Sequence, residues 1–281
     1  MQVFKKCLDL QNHLNELSNY DTSIGFVPTM GALHEGHKSL VEKSLEQNNT
    51  TVVSIYVNPT QFDNREDLLT YPSNVKNDIN FLKSISDDLI LFNPDSEEIY
   101  CGEVKLDTFN FNGLEKSMEG RFRVNHFNGV ATVVNKLFSI VKSDNVYFGE
   151  KDFQQLRIIE NLVFERKINT KVVRCETIRG SGGLALSSRN DKLPFSSKKI
   201  ATNLFKALNF AKEKFNSLEI VEIERKVKQK LSNFSEIQLE YFVIADEKKL
   251  LPSFSKKNQK YRAFIAAYVS GVRLIDNIKL N

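Results

Sequence analysis

Tryptophan is absent from this 281-residue chain, and cysteine, methionine and histidine are scarce, with three, three and four copies. Cys7, Cys101 and Cys175 lie far apart, in a number and spacing that fit neither a disulfide framework nor a metal site. They predict reduced thiols in a reducing compartment. No stretch approaches the roughly 20 apolar residues of a membrane span, and no signal peptide is recognisable. The sequence predicts a soluble cytoplasmic protein without a membrane partner.

The chain also lacks a large excess of charge of either sign. The chain has 39 Lys and Arg residues against 35 Asp and Glu, a net charge of +4, and the two signs are interspersed along the sequence. A nucleic-acid-binding surface normally requires a basic stripe, so no nucleic-acid partner is expected. The composition, 41% hydrophobic and 26% charged, predicts a globular chain with a sizeable core. The length suffices for two unequal domains.

Short apolar runs alternate with amphipathic stretches in the first two thirds of the chain. Runs that fit buried strands occur at 24–27, 52–57, 88–92, 145–149 and 171–178. The stretch between the first two places Leu40, Val41 and Leu45 on one helical face. Strand, helix and strand in this order make a βαβ unit. The repeated pattern predicts an α/β fold with a Rossmann-like, doubly wound parallel sheet.

The pattern changes near residue 177. Two Lys-rich amphipathic helices, at about 196–215 and 219–232, precede three consecutive strand-like runs. Helices followed by adjacent strands are typical of an α+β domain. We therefore expect a Rossmann-like domain over 1–177 and a smaller C-terminal α+β domain over 178–281.

The segment PTMGALHEGHKSL at 28–40 lies between a predicted strand and a predicted helix. A helix N-terminus attracts phosphate through its free N–H groups and its dipole, and His34 and His37 can add donors there. Their spacing differs from that of the two-histidine zinc helix. Two alternatives stay open at this point. One histidine can simply cap or pack, or the pair can bind a metal adventitiously.

Two further polar motifs follow predicted strands. VNPTQF at 57–62 offers Asn58 and Gln61, neutral amides that suit hydroxyl groups or a carboxylate, although the motif also fits a polar turn. FGEKDFQQL at 148–156 offers Lys151 as a charge for phosphate and Asp152 as a Mg²⁺ ligand. Its alternative is an ordinary acidic helix start. Polar motifs that recur at strand ends favour a ligand site, because open parallel sheets bind ligands at the carboxyl ends of their strands.

The segment IRGSGGLALSSRN at 178–190 combines glycines, which allow close approach to a ligand, with Ser187, Ser188 and Arg189. It lacks the Gly-Lys-Ser/Thr sequence of a P-loop and also fits a flexible interdomain linker. His126 precedes another predicted helix and suits a structural role as well as a functional one.

Taken in order, PTMGALHEGH, VNPTQFDNREDLLTYP, HFNGV, YFGEKDFQQL and GLALSSRN closely resemble the pantoate–β-alanine ligase family, and the closing RLIDN extends the similarity. That family belongs to the nucleotidyltransferase superfamily, whose two signatures resemble HEGH and LSSRN. The chain departs from the family pattern at Val124–Asn125, where Pro-Gly is usual, at Gly182, where Asp is usual, and at Thr60, where Met is usual.

The resemblance implies a ligase that adenylates pantoate with ATP and then joins the pantoyl group to β-alanine. ATP with Mg²⁺ would be a substrate, pantoate and β-alanine the other two, and no tightly bound organic cofactor would be needed. Such enzymes are usually homodimers. The 178–281 domain would serve as a lid on a nucleotide- and pantoate-binding domain.

The resemblance also implies site residues. ATP would contact Met30, Gly31, Ala32, Leu33, His34, Glu35, Gly36, His37, Gly149, Glu150, Lys151, Asp152, Ile178, Leu186, Ser187, Ser188 and Arg189. Pantoate would contact Gln61, Gln155, Asn58 and His126, with Gln61 also near β-alanine. Catalytic roles would fall to His37 (the proton donor), His34 and Lys151, and Asp152 would hold the metal.

Two other functions remain in competition. One is a nucleotidyltransferase that acts on a phosphorylated cofactor precursor. It would share HEGH and the Ser-Arg segment but would not need the paired glutamines. The other is an RNA-binding relative of the tRNA synthetases, which the modest charge disfavours.

Overall fold

The structure is a computed structural model that describes residues 1–18 and 22–281. Its strands are β1 (Gln2–Phe4), β2 (Ile24–Thr29), β3 (Thr50–Ile55), β4 (Ile90–Phe92), β5 (Asn145–Gly149), β6 (Lys171–Cys175), β7 (Ile237–Asp246), β8 (Tyr261–Val269) and β9 (Val272–Lys279). Its helices are α1 (Cys7–Ser18), α2 (Glu35–Gln47), α3 (Arg65–Leu69), α4 (Val75–Ile85), α5 (Ser96–Tyr100), α6 (Glu119–Phe122), α7 (His126–Val141), α8 (Phe153–Glu165), α9 (Phe195–Lys214) and α10 (Ile220–Leu231). Short 3₁₀ helices occupy Pro59–Gln61, Glu150–Asp152, Ser181–Gly183 and Ser188–Lys192.

Strands β1 to β6 form one parallel sheet in the order β1-β4-β3-β2-β5-β6. The predicted doubly wound sheet is confirmed. From β2 the chain moves through β3 to β4 on one side, and then returns to add β5 and β6 on the other side. The strand order therefore reverses between β2 and β5, and such a switch point is where an open α/β sheet binds ligands.

The two strands at the switch point pair over only part of their length. Gly25 and Phe26 of β2 pair with Asn145 and Val146 of β5, whereas β2 pairs with β3 along all six residues. The carboxyl halves of β2 and β5 thus do not pair with each other. The segments that contain Met30 and Glu150 continue directly from this edge.

Strand β1 was not predicted from the sequence. It has three residues, of which Gln2 and Val3 are exposed, and it pairs with β4 at the edge of the sheet. A short exposed edge strand shows neither an apolar run nor a clear alternation, so periodicity cannot reveal it. By contrast, every residue of β3 is buried, as expected for a central strand that is covered on both faces.

The described chain divides into two compact units. The first contains Met1–Phe111, Arg123–Glu150 and Gln155–Glu176, and the second contains Asn112–Phe122, Lys151–Gln154 and Thr177–Asn281. In the first unit, α2 and α4 pack on the parallel sheet through a core that includes Leu40, Val41, Val53, Leu82 and Leu91. This core fixes the position of α2, which begins at the HEGH motif.

The second unit contains an antiparallel sheet in the order β7-β8-β9, packed on α9 and α10. The predicted order of two helices and three strands is confirmed, and the smaller sheet has the predicted α+β architecture. Arg273 of β9 lies between Glu119 and Glu240, and Tyr241 also donates to Glu119 at 2.7 Å. These partly buried contacts attach the 112–122 segment to the sheet, although the two are distant in sequence.

Within residues 1–18 and 22–281, none of the helices combines the length and the apolar character needed to cross a membrane.

Candidate active site

The HEGH motif begins α2 and caps it with its own imidazoles. His34 is the N-cap residue, and its Nδ1 accepts from the Gly36 amide at 3.1 Å. The Nδ1 of His37 accepts from the His34 amide at 3.3 Å. A backbone N–H can only donate, so in each neutral ring the proton must be on Nε2. The ring centroids are 4.1 Å apart, so the two imidazoles lie side by side at the helix start.

This geometry bears on the first alternative, that a histidine caps the helix. The two histidines do cap the helix, and capping through Nδ1 places the proton of each neutral ring on Nε2. Capping and phosphate binding are therefore compatible roles for the same side chain. The other positions of the motif include Glu35, which is exposed and lies 3.8 Å from Lys38, and Gly36, which is half-buried.

The loop before α2 is held in place by Asp78 of α4. Its two carboxylate oxygens accept from the Ala32 amide at 3.0 Å and from the Leu33 amide at 2.7 Å. Gly31 has a φ of +80°, and a Cβ at this position would lie 2.8 Å from the Asp78 carboxylate. Asp78 therefore fixes the path of the backbone from Met30 to His34.

Asp78 was not predicted from the sequence. It is 4% exposed and lies on the face of α4 that also carries Val75 and Leu82. An acidic residue on an otherwise apolar helical face is the signal that could have found it, because a buried carboxylate requires hydrogen-bond donors.

Gln61 lies at the end of a 3₁₀ turn after β3 and is 8% exposed. Its Nε2 contacts the Met30 sulfur at 2.9 Å, so the segments after β2 and β3 meet at the carboxyl edge of the sheet. Asn58 donates to Gln61 Oε1 at 3.2 Å and to the carbonyl of Gly129 at 3.1 Å. The hydrogen bond from Asn58 thereby orients the side-chain amide of Gln61.

Asn58 is itself held by two hydroxyl groups. Tyr100 donates to Asn58 Oδ1 at 2.7 Å, and Thr60 donates to the same oxygen at 3.0 Å. Burial raises the pKa of Tyr100 to about 12, so its hydroxyl keeps the proton that it donates. Asn58 is 1% exposed, and both ends of its amide are occupied by protein groups. Thr60, which stands where the family usually has Met, takes part in this hydrogen-bond network through its hydroxyl group.

His126 begins α7 and supports the backbone of Gln61. Its Nδ1 donates to the Gln61 carbonyl at 2.8 Å, and its Nε2 lies 3.1 Å from an Arg123 nitrogen. Arg123 in turn lies 3.5 Å from Asp63. Arg123 cannot accept a hydrogen bond, so Nε2 of His126 is the acceptor and the ring is neutral in this arrangement. The structural role of His126 is visible, and its contact with pantoate stays a prediction.

Close packing explains why the HFNGV motif has a glycine at position 129. A Cβ on this residue would lie 2.2 Å from the Thr60 carbonyl oxygen and 2.7 Å from the Gln61 Cα. Helix α7 therefore approaches the turn that carries Gln61 more closely than any larger residue permits. The backbone of one element thus packs directly against the backbone that positions the predicted pantoate ligand.

The departure at Asn125 has a backbone explanation. Asn125 precedes α7 with φ 60° and ψ 1°, in the left-handed region that glycine adopts most readily and asparagine next. It is exposed and forms no side-chain cap hydrogen bond to the helix. Asparagine thus preserves the turn that the usual glycine makes.

Substitution of Asn125 should reveal this requirement. We expect Asn125→Ala to lower the free energy of unfolding by about 1 kcal/mol, because alanine is strained at positive φ. Asn125→Gly should leave it unchanged or raise it by up to about 1 kcal/mol, since relief of strain is partly offset by the entropy of glycine in the unfolded chain. Urea unfolding of the three proteins measures both changes. Equal stabilities for the alanine and glycine variants would contradict the assignment.

The two glutamines of FGEKDFQQL have different surroundings. Gln154 is 4% exposed, donates to the carbonyls of Leu114 and Ser117 at 2.8 Å each, and accepts from the Glu119 amide at 3.0 Å. Its amide is committed to the 112–122 segment. Gln155, at the next position of α8, is half-buried. The predicted contact of Gln155 with pantoate stays a prediction.

Gly149 ends β5, and Glu150, Lys151 and Asp152 form the following 3₁₀ turn. The Lys151 ammonium lies 3.3 Å from the Asp152 carboxylate, and the side chains are 18% and 44% exposed. In the part of the chain that the structure describes, no three His, Cys, Asp or Glu side chains are grouped as a metal site would require. The turn thus places the Lys151 ammonium beside the Asp152 carboxylate.

The glycine-rich segment folds into a loop that is closed by backbone hydrogen bonds. Leu186 donates through its amide to the Ile178 carbonyl at 3.0 Å, and Gly180 donates to Leu184 at 2.8 Å. Gly182 has a φ of +73°, so glycine suits this position where the family usually has Asp. Ile178 is 37% exposed, and Leu186 is half-buried.

The Ser-Arg segment follows directly. Ser187 caps the 3₁₀ turn Ser188–Lys192, and its hydroxyl accepts from the Arg189 amide at 3.3 Å. Ser188 is buried and Arg189 half-buried. A turn that presents hydroxyl groups and a guanidinium together is chemically suited to phosphate.

Fold and site together define a Rossmann-like α/β protein with imidazole and amide donors gathered at the switch point of its parallel sheet. The sequence matches the family described as pantoate-beta-alanine ligase over residues 2–279. A pantothenate synthetase of Flavobacterium psychrophilum is 46% identical over 281 residues, covering both chains fully. The chain belongs to the pantoate–β-alanine ligase family, as the sequence motifs predicted. It is accordingly an amide-forming ligase.

Solved structures agree with this assignment. A crystal structure of pantothenate synthetase from Thermus thermophilus has a TM-score of 0.92 and 35% identity, with coverage of 100% of this chain and 99% of that one. A pantoate-beta-alanine ligase from Francisella tularensis, complexed with beta-gamma ATP and beta-alanine, has a TM-score of 0.82 and 38% identity over 99% and 97% of the two chains. The shared fold therefore extends over essentially the whole chain.

Proposed function

We propose that this chain condenses (R)-pantoate with β-alanine in two steps at the expense of ATP. A pantoate carboxylate oxygen attacks the α-phosphorus, the bond from that phosphorus to the bridging oxygen of the β-phosphate breaks, and pyrophosphate leaves. The β-alanine amine then attacks the acyl carbon of pantoyl adenylate. The bond from that carbon to the phosphate oxygen breaks, AMP leaves, and the amine loses a proton to solvent as pantothenate forms.

The observation that carries this proposal is the meeting of two chemically different groups at one sheet edge. His34 and His37 present Nε2–H donors at a helix start, which suits the negative charge that develops on phosphate oxygens. Gln61 presents a neutral amide beside Met30, which suits the hydroxyl and carboxylate groups of pantoate. A phosphate site and an acid site at adjacent positions are what adenylation of a carboxylate requires.

In this proposal His37 donates a hydrogen bond to the departing phosphate oxygens and His34 assists it. Gln61 and Gln155 bind pantoate, and Gln61 also lies near β-alanine. Asn58 and His126 act on pantoate through the groups of Gln61 that they hold, at 3.2 Å and 2.8 Å. The backbone from Met30 to Gly36, shaped by Asp78, lines the nucleotide.

We further propose that Gly149, Glu150, Lys151, Asp152, Ile178 and the run Leu186–Arg189 complete the ATP site. Lys151 supplies a positive charge to the phosphates and Asp152 a carboxylate to their Mg²⁺. Mg²⁺ bound to ATP needs only one or two protein carboxylates, because phosphate oxygens and water fill its other positions. The Asp152 carboxylate, 3.3 Å from the Lys151 ammonium, supports this role.

The remaining features of the proposal concern organisation. Residues 1–177 would form the nucleotide- and pantoate-binding domain and 178–281 the lid domain. The enzyme would be a cytoplasmic homodimer that uses no tightly bound organic cofactor. The scarcity of cysteine and its dispersal along the chain support the reducing compartment. The ATP and β-alanine named with the Francisella tularensis ligase support the substrates.

Isotope exchange tests the proposed chemistry. Purified enzyme with Mg²⁺ should exchange labelled pyrophosphate into ATP when pantoate is present, with no need for β-alanine. The first half-reaction uses the phosphate and acid sites but nothing from the amine, so it must run backwards alone. Adding β-alanine should then convert the adenylate into pantothenate and AMP. Exchange that required β-alanine, or that occurred without pantoate, would falsify the two-step mechanism.

The same measurement separates the competing functions. A nucleotidyltransferase that acts on a phosphorylated precursor would ignore pantoate, and an RNA-binding relative would show no exchange. Retention of RNA on a filter, measured against salt concentration, is the complementary control. Phosphate contacts with RNA would give a steep salt dependence, whereas this enzyme should retain none.

Replacing Gln61 or Gln155 by alanine should weaken pantoate binding and leave ATP affinity nearly unchanged. Each amide that hydrogen-bonds a carboxylate contributes about 1.5–3 kcal/mol, which corresponds to roughly a tenfold to hundredfold loss of affinity. Calorimetric titration with each ligand measures the two effects separately.

Gln154→Ala provides the matched control for these variants. Its amide serves Leu114, Ser117 and Glu119, so its loss should reduce stability without a selective effect on pantoate. An equal loss of ATP and pantoate affinity in the Gln61 and Gln155 variants would overturn the assignment of the two glutamines.

A further inference from the structure

The RLIDN motif closes the sequence similarity but has no role in the chemistry described above. Two of its residues, Asp276 and Asn277 of β9, are 6% and 3% exposed. Asn277 contacts Lys151, which the proposed function places on ATP. Asp276 contacts Arg179, which lies between Ile178 and the Leu186–Arg189 run that the proposed function also places there. Buried polar side chains of this kind are retained only where their hydrogen bonds are made.

Asn277 holds the main chain at Lys151. Its Nδ2 donates to the Lys151 carbonyl at 2.8 Å, across 126 positions of sequence. Its Oδ1 accepts from Arg262 at 2.6 Å, which fixes the orientation of the amide. Arg262 is in turn held by Glu247 at 2.9 Å and lies over the Phe153 ring, 3.8 Å from the centroid. The donor of Asn277 thus has little freedom to turn away from Lys151.

Asp276 holds the glycine-rich loop through Arg179. The guanidinium makes a bidentate pair with the two Asp276 oxygens, at 2.6 Å and 2.9 Å. The same guanidinium donates to the Gly183 carbonyl at 3.0 Å and lies over the Phe205 ring, 4.0 Å from the centroid. A bidentate pair fixes the guanidinium in one plane, so the loop carbonyl is bound in one position.

We infer that Asp276 and Asn277 are a pair of positioning residues. Together they hold the two phosphate-binding segments in fixed positions relative to each other. Neighbouring positions of one strand hold the main chain at Lys151 and the loop that leads to Ser187–Arg189. This inference rests on the proposed function, because it assumes that Lys151 and the Ser187–Arg189 run bind ATP. Neither Asp276 nor Asn277 needs to touch the nucleotide. Misplacement of either segment would weaken ATP binding and slow adenylation.

Asn277→Asp is the sharpest test. The substitution keeps an oxygen for Arg262 but replaces the donor to Lys151 with a second oxygen that faces the carbonyl. We expect the KM for ATP in pyrophosphate exchange to rise about tenfold, while the KM for pantoate stays within about twofold. A purely structural role would reduce the active fraction and the melting temperature but leave both KM values unchanged.

Asn281→Asp is the matched control. Asn281 makes the same pair of bonds just beyond the end of β9, donating to the Gln259 carbonyl at 3.0 Å and accepting from the Tyr261 amide at 2.7 Å. It contacts neither phosphate segment through these bonds. Its substitution should leave the KM for ATP unchanged. A rise equal to that of Asn277→Asp would show a general effect of the sheet and overturn the inference.

Arg179→Lys tests the contact between Asp276 and the glycine-rich loop. Lysine retains the positive charge opposite Asp276 but cannot make the bidentate pair together with the bond to Gly183. We expect the same selective rise in the KM for ATP. An unchanged KM in both Arg179→Lys and Asn277→Asp would refute the positioning role.

Lys151→Met separates this inference from the proposed function. If Lys151→Met leaves the KM for ATP unchanged, the assignment of Lys151 to ATP fails and the inference falls with it. If Lys151→Met raises the KM for ATP but Asn277→Asp and Arg179→Lys do not, only the positioning role fails. A selective rise in all three variants supports both.

Discussion

Replacing His37 by asparagine should lower the rate of pantoate-dependent ATP–pyrophosphate exchange by about 10²–10³, the usual cost of one preorganised donor to developing negative charge. Asparagine is chosen because its side-chain oxygen can replace Nδ1 as the acceptor for the His34 amide. The start of α2 should therefore stay capped, and the melting temperature should change little. Only the Nε2–H donor is lost.

His37→Gln is the complementary variant. Its amide nitrogen can reach toward the position of Nε2, while the acceptor for the His34 amide is lost. We expect partial recovery of the exchange rate relative to His37→Asn, together with a loss of about 0.5–2 kcal/mol in stability from the weakened cap. If His37→Asn exchanged at the wild-type rate, the histidine would serve only as a cap and its catalytic role would be wrong.

Gly129→Ala should be the most damaging small substitution in the first unit. Its methyl group would lie 2.2 Å and 2.5 Å from the carbonyl atoms of Thr60 and 2.7 Å from the Gln61 Cα. Alanine favours a helix by up to about 1 kcal/mol over glycine, but overpacking against backbone costs about 1–3 kcal/mol. The steric term should win, because no flexible side chain is available to move. We expect a net loss of stability in urea unfolding and a raised KM for pantoate, since the displaced turn carries Gln61.

Gly149→Ala is the stability control for this variant. It lies at the end of β5, and no atom falls within 4 Å of the position that a Cβ would take. Its free energy of unfolding should change by no more than about 0.5 kcal/mol. If Gly129→Ala were equally well tolerated, α7 and the Thr60–Gln61 turn would not be packed as closely as the structure indicates.

The parallel α/β fold could be predicted because its signals are local. Buried strands such as β3 are visible in the sequence as apolar runs, and the helix after β2 shows a single apolar face. The bounds of these strands and of this helix were therefore predicted to within a few residues. HEGH was likewise placed correctly at a helix start, because a turn followed by an amphipathic run can be recognised in ten residues. Family membership followed from the order of such local motifs.

Other features depended on which segments meet after the chain folds. Sequence periodicity does not report that Asp78 of α4 binds the loop at Ala32, 46 positions earlier, or that Asn277 binds Lys151. Periodicity also does not decide which of Gln154 and Gln155 is held by other protein groups. Adjacent helical positions face different neighbours, and those neighbours are known only after folding. The sequence alone determined the fold class, the family and the residue types at the site. Tertiary structure decided the tautomers of His34, His37 and His126 and the hydrogen-bond partners of the buried amides and carboxylates, because a hydrogen bond forms only between groups that folding brings within about 3 Å.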